Sequence, residues 1–190
     1  MRKIKTEPTT EPISSTEAKV YLKVDNTDED ALIVQLEKAA RKRAELYMNR
    51  QLVTATWETY LDEFPTRDED WLVEVAPCPV IAVASVKYYD SDNVLQTLPT
   101  SVYLVDIASE PCRVSLAVGQ SWPDTADRKN AVVIEYTAGY GAAASVPDLI
   151  KAGIYLLLGH LYETRQDVTK EKMNEIPMGS RSLFDMYRVY

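Results

Sequence analysis

Four groups of residues in this chain could in principle do chemistry. Gly139, Gly141 and Ala144, in "AGYGAAAS", match the G-x-G-x-x-G/A spacing of a dinucleotide-binding turn. Such a turn works because glycine backbone lets a pyrophosphate approach the N-terminus of a helix. Cys78, in "APCPV", and Cys112, in "EPCRV", are the only cysteines, and His160 is the only histidine. Acidic residues are plentiful.

Each group reads more simply as structure. A dinucleotide turn opens its helix directly, and a second parallel strand follows that helix. Here Pro147 begins the helix several residues after Gly141, and no strand-like run follows Glu163. There is no Gly-Lys-Ser/Thr of a P-loop, no G-x-S-x-G and no H-E-x-x-H. Two cysteines make no disulfide framework, and no further ligand lies at zinc spacing. They read as free thiols near strand ends. His160 sits in an apolar helix without a cysteine or acid at i±4, so it reads as a partly buried helical histidine. The sequence therefore predicts no catalytic residue, no metal and no cofactor.

The elements that place these residues come from periodicity. Residues 1–13, "MRKIKTEPTTEPI", alternate charge, threonine and proline, and read as a flexible arm. Ser14 and Glu17 form a capping-box pair that starts a short helix near 15–23. A long helix is expected near 27–50, with Thr27 as N-cap and Asp28, Glu29 and Asp30 in its first turn. Ile33, Leu36, Ala40, Ala44 and Tyr47 make its apolar stripe. Glu37, Arg41 and Glu45 read as an i,i+4 ladder on a solvated face.

From Val53 the period changes to two. "VTATWETYL", "WLVEVAP", "VIAVASVKYYD", "VLQTL", "VYLVDI", "RVSLA" and "AVVIEYTA" read as short strands, with "FPTRDED" a polar connection. "DSDN" at 90–93 is a turn that makes a hairpin. Antiparallel hairpins fit this spacing better than strand-helix-strand units. A third helix is expected near 147–163. Ile150, Ile154, Leu157, Leu158 and Leu161 form its apolar face, and little polarity lies elsewhere, so it should be buried on more than one side. The fold class is α+β: a small helical core with an antiparallel β insertion at 53–140. The domains are the 1–13 arm, a single domain at 14–165 and a tail at 166–190. That tail is polar at first, then apolar through Leu183, Phe184, Met186, Tyr187, Val189 and Tyr190.

The chain has 190 residues, 46% of them hydrophobic, which suits one domain with a sizeable core. A formal net charge of -8 disfavours tight nonspecific binding to a phosphate backbone. No apolar run is long enough to span a bilayer, and no signal h-region follows "MRKIK". A soluble protein made in a cytoplasm is expected.

The order of features resembles the head–tail connector (adaptor) family of long-tailed bacteriophages, prophages and gene transfer agents. The resemblance rests on "TEPTTEPISSTEAKVYLKVDNTDEDALIVQLEKAARKRAELYMNRQLVTATWE", "SEPCRVSLAVGQSWP", "VVIEYTAGYGAAASVPDLIKAGIYLLLGHLYETR" and "LFDMYRVY". It implies a virion neck protein, made in the bacterial host cytoplasm, that forms a ring of twelve identical subunits under the portal. The ring would extend the DNA channel without gripping DNA, and would offer a platform to the next neck or tail protein. No catalysis and no membrane partner are implied. Within that picture, the helix side bearing Gly153, Tyr155 and Tyr162 is expected at the ring interface. The segment from Leu183 to Tyr190 is expected to act as an anchor to a neighbouring subunit or the portal. A head-closure stopper, a tail terminator and a small enzyme using the 139–144 loop are the alternatives. The two long helices weigh against the first two, which are usually β-rich throughout.

Overall fold

The computed structural model describes residues 1–65, 72–164 and 178–190. The expected connection "FPTRDED" and the polar start of the tail lie partly or wholly outside these residues. Two compact units emerge, one of residues 1–7 and 54–139, the other of residues 8–53 and 140–190.

The first unit is all β. Its strands are β1 (Arg2–Thr6), β2 (Ala55–Leu61), β3 (Leu72–Val75), β4 (Val80–Tyr89), β5 (Leu95–Thr97), β6 (Tyr103–Asp106), β7 (Cys112–Leu116) and β8 (Val132–Ala138). They form a five-stranded sheet, β1-β2-β8-β4-β5, and a three-stranded sheet, β3-β7-β6. Every pairing is antiparallel, as the period-two pattern and its turns predict. The β4–β5 hairpin turns on Asp90, whose carboxylate accepts from the amides of Asp92 and Val94.

β8 shows why the sheet forms. Val132, Ile134, Tyr136 and Ala138 are buried, and the residues between them are half-buried. This alternation puts one face of the central strand in the core. The core also takes Val75, Val86, Cys112 and Val114. Tyr136 is the largest fully buried side chain there, and its hydroxyl donates to the Ala76 carbonyl. Burial pushes its pKa up to about 12.

Residues 2–6 correct the expected arm. They form edge strand β1, running from Arg2↔Thr59 to Thr6↔Thr56. Ile4 alternates with Lys3 and Lys5, and the Lys5 ammonium sits 3.1 Å from Glu58 and 2.8 Å from Glu135. A polar, charged strand suits a sheet edge.

The second unit is helical: α1 (Ser15–Leu22), α2 (Asp30–Met48), α3 (Asp148–Thr164) and α4 (Met178–Asp185), with a 3₁₀ turn at Ala143–Ser145. The capping box of α1 is present: Ser14 Oγ accepts from the Glu17 amide, and Glu17 accepts from the Ser14 amide. α2 starts later than its acids suggest. Glu29 is the N-cap and makes no side-chain cap, while the Thr27 carbonyl accepts from the Asp30 amide. Asn49, at φ 55°, ends the helix in the left-handed conformation, and its amide bonds Glu45 O. Arg50 thus lies beyond the helix rather than in its last turn.

The core of this unit joins Ile33, Ala40, Ala44 and Met48 of α2 to Ile150, Ile154, Leu157 and Leu158 of α3. Ala18 of α1, Phe184 of α4 and the connecting residues Ile13, Leu52, Val53 and Val146 complete it. No helix among the described residues is long and apolar enough to cross a membrane.

Candidate assembly surfaces

The glycine loop is built as a chain turn. Gly139 and Gly141 take φ 130° and 111°, values that side chains other than glycine's rarely allow. The Tyr140 amide between them donates to Leu52 O. The 3₁₀ turn and Pro147 then separate these glycines from the start of α3. The amides of Ile150 and Lys151 both bond Pro147 O. The glycines thus serve a turn and do not open the helix.

The other chemically capable residues are likewise absorbed. Cys78 and Cys112 are both fully buried. Burial pushes the Cys112 thiol up to about 11, which makes it a poor nucleophile. His160 is half-buried on α3, and Thr164 Oγ1 donates to its carbonyl. Among the described residues no group of three or more His, Cys, Asp or Glu could hold a metal ion.

The residues expected at an interface are engaged inside the helical unit. Gly153 is buried, and the Phe184 ring lies directly over it. This corrects the expectation that Gly153 faces a neighbouring subunit. Tyr155 is half-buried, its ring 5.1 Å from that of Tyr21 on α1, and burial raises its pKa. The Tyr162 hydroxyl donates to the Glu29 carboxylate.

The tail also folds back on its own unit. Phe184 is fully buried, with its ring centroid 6.4 Å from that of Tyr47. The Val189 amide donates to Met48 O at 2.9 Å, and Arg50 donates to the Tyr187 carbonyl. The Tyr47 hydroxyl donates to Asp185 and accepts from Arg181 at 3.0 Å. Leu183, Tyr187 and Val189 are half-buried. Met186 and Tyr190, 69% and 92% exposed, face outward. Only Leu183, Phe184 and Asp185 of the stretch from Leu183 onward lie in α4, and the residues after them form a turn and an irregular end. The stretch was open to either an inward or an outward reading.

What the helical unit does offer outside is a set of apolar side chains that periodicity did not single out. Val20 and Tyr21 on α1, Leu46 on α2, and Leu149 and Leu156 on α3 are all exposed. Leu149 and Leu156 are seven residues apart, so they share one side of α3. In the β unit, Leu104, Val105, Ile107 and Val118 are exposed.

The charged ladder of α2 is the clearest departure from expectation. Glu37 and Arg41 are only 2% and 3% exposed, not solvated. Arg41 Nε donates to Glu11 at 2.6 Å and its Nη1 to Glu45 at 2.8 Å. Glu45 also accepts from Gln51 Nε2 and the Leu52 amide. This network fastens residues 11 and 51–52 to α2. The signal was in the stripe itself: Glu37 falls four residues after Ile33 and three before Ala40, on the buried side.

No family model matches the sequence, and neither does any curated protein. Solved structures do match the fold. A chain from the neck of an empty gene transfer agent particle, computed with C6 symmetry, superposes with a TM-score of 0.82 at 19% identity, covering 100% of this chain and 96% of that one. A chain of the virion of a native gene transfer agent particle gives 0.78 at 18% identity, with the same coverage. A chain from the neck of a native particle, computed with C12 symmetry, gives 0.73 at 20% identity, again with the same coverage. These likenesses concern the fold alone, which is α+β and similar to that of these particle chains.

Proposed function

We propose that this protein is a structural neck protein, an adaptor that forms a ring of identical subunits beneath a portal and joins a capsid to its tail. The observation that carries this reading is the end-to-end fold match, at a TM-score of 0.82, to a chain of a gene transfer agent neck. The order of sequence motifs supports the same family independently. The neighbouring necks were computed with sixfold and twelvefold symmetry, which fits a ring, and we take twelve subunits as its number.

A closed ring needs a heterologous contact, with two different patches per subunit. The helical unit offers apolar Val20, Tyr21, Leu149 and Leu156, and the β unit offers Leu104, Val105, Ile107 and Val118. We assign these exposed residues to the ring contact, together with the rims of Tyr155 and Tyr162. Gly153 acts one layer inward, by seating Phe184. Met186 and Tyr190 are the tail residues left to meet the portal or a downstream neck or tail protein. The acidic chain suits a channel through which DNA passes without sticking. The protein acts in the virion, without catalysis.

The test is a mass measurement on purified protein, alone and with its cognate portal. A portal-bound assembly with twelve added copies of this 21.5 kDa chain is the expected result. Failure to associate with the portal, together with absence from purified particles, would overturn the reading.

A further inference from the structure

Glu37 poses a problem that the fold does not solve. Its residue surface is 2% exposed. One carboxylate oxygen accepts from Ser15 Oγ at 3.0 Å. The other, Oε1, is buried and has no hydrogen-bond partner among the described residues. A buried carboxylate left half-satisfied is costly, and it calls for a donor.

The charges around it do not supply one. Burial raises its pKa, nearby Glu11 raises it further, and Lys38 opposes this only through space. Arg41, the nearest buried cation on α2, is committed to Glu11 and Glu45.

Glu37 forms part of the wall of an open groove of about 670 Å³. The groove runs between residues 10–15, α2 at Val34 and Glu37, and the small side chains of Ala142, Ala143 and Ala144. Glu11 and Glu17 also line it, against the single cation Lys151, whose charge acts on Glu17. Of these lining carboxylates Glu11 is paired with Arg41 and Glu17 holds Ser14, which leaves Glu37 as the one with an unpaired buried oxygen, and Ala142, Ala143 and Ala144 put little bulk into the groove.

We propose that this groove receives an arginine side chain from a partner polypeptide, with Glu37 as its counter-charge. A guanidinium fits the requirement because it brings several donors in one plane, can pair with a carboxylate and is weakly hydrated, so it enters a confined site readily. The site is defined by this chain alone and does not depend on the neck reading.

The test uses the full chain and two peptides, acetyl-Gly-Arg-Gly-amide and its neutral citrulline isostere. Amide chemical shifts of Ser15 and Ala142–Ala144 are followed during titration. The arginine peptide should shift them saturably in the millimolar range, with the citrulline peptide at least tenfold weaker. Glu37→Gln should abolish the saturable shift while raising the melting temperature, because it removes the ill-satisfied charge. Ala144→Trp, at an exposed position, should block binding by filling the groove and leave the melting temperature unchanged. It also keeps the proposal testable if Glu37→Gln does not fold. Equal binding of the two peptides, unchanged binding by Glu37→Gln or Ala144→Trp, or tighter binding of spermidine than of the arginine peptide would each overturn the assignment.

Discussion

Gly153 of α3 and Phe184 of α4 occupy one another's space: a Cβ added to Gly153 would lie 2.9 Å from Cζ and 3.0 Å from Cδ1 of the Phe184 ring. Real Cβ atoms do not approach ring carbons that closely, so the glycine is what lets the aromatic ring seat on the helix. The pair links the tail of the chain to its most apolar helix, and it makes a residue that looked like a surface contact into a piece of the core.

Gly153→Ala therefore tests two opposed effects. In a helix interior alanine gains about 1 kcal/mol over glycine from propensity. Overpacking against a fully buried ring costs about 1–3 kcal/mol. Because the ring cannot retreat within a filled core, the clash should win and the urea midpoint should fall. Combined with Phe184→Leu, the substitution should cost less than the sum of the two single changes, since they share one contact. A midpoint that rises in Gly153→Ala would show that α4 does not sit there.

Leu157 lies 1% exposed on the same helix, among the residues that α3 shares with α2. Leu157→Ala should cost about 2–5 kcal/mol, the usual range for a leucine deleted from a core. Chemical denaturation reads this directly. An unchanged midpoint would mean that α3 faces the wrong way.

Much of this was legible from residue spacing. The Ser14–Glu17 capping box, the Ile150–Ile154–Leu157–Leu158 face and the alternation of β8 are local patterns, and local patterns dictate local structure. The errors share another cause. Arg2–Thr6 looks like an arm because its strand partner, β2, begins fifty residues later. Glu37 and Arg41 look solvated because their partners, Ser15 and Glu11, come from a segment folded over α2. Gly153 looks like a surface gap because the ring that fills it lies thirty-one positions downstream. Spacing along one element cannot report what a distant segment covers.

The Arg41 network gives a third prediction. Arg41 is 4% exposed in its side chain and holds both Glu11 and Glu45. Removing one member of a buried ion pair strands the others, at about 3–5 kcal/mol. Arg41→Ala should lower stability by that amount, and Arg41→Lys should recover only part of it because an ammonium lacks the planar, rigid donor fork of a guanidinium. An Arg41→Ala chain as stable as the parent would show that the network contributes nothing.

Glu37 predicts an unusual response to pH. Its pKa is raised in the fold, chiefly by burial, with Glu11 adding and both Ser15 and Lys38 opposing. A raised carboxyl binds protons more readily folded than unfolded, so its contribution is fully present below the unfolded value and is lost as pH rises through the folded one. Mild acidification from neutral towards the ordinary glutamate range should therefore add stability from this group. Carboxyls held low, such as Glu58 and Asp62, lose theirs only at lower pH. Melting curves between pH 7 and 5 should show the gain in the parent and a smaller one in Glu37→Gln. Identical slopes in the two chains would remove Glu37 from the account.

The tail separates stability from attachment. Truncation after Pro177 removes Phe184, the Val189–Met48 hydrogen bond and the Arg50–Tyr187 contact, all of which lie within the helical unit. Loss of a buried phenylalanine alone costs about 3–5 kcal/mol, so the truncated chain should melt well below the parent. A portal-binding defect in that truncation would consequently say nothing about an anchor. Met186 and Tyr190 give the cleaner experiment, because both are exposed and neither fills the core. Met186→Ser with Tyr190→Ser should leave the melting temperature unchanged. If the tail meets the portal through its outward side, the doubly substituted protein should bind the portal at least tenfold more weakly, since exposed apolar and aromatic anchors concentrate binding energy in few residues. Full portal binding by that stable double variant would confine the tail to a packing role and leave attachment to the exposed residues of α1, α3 and the β unit.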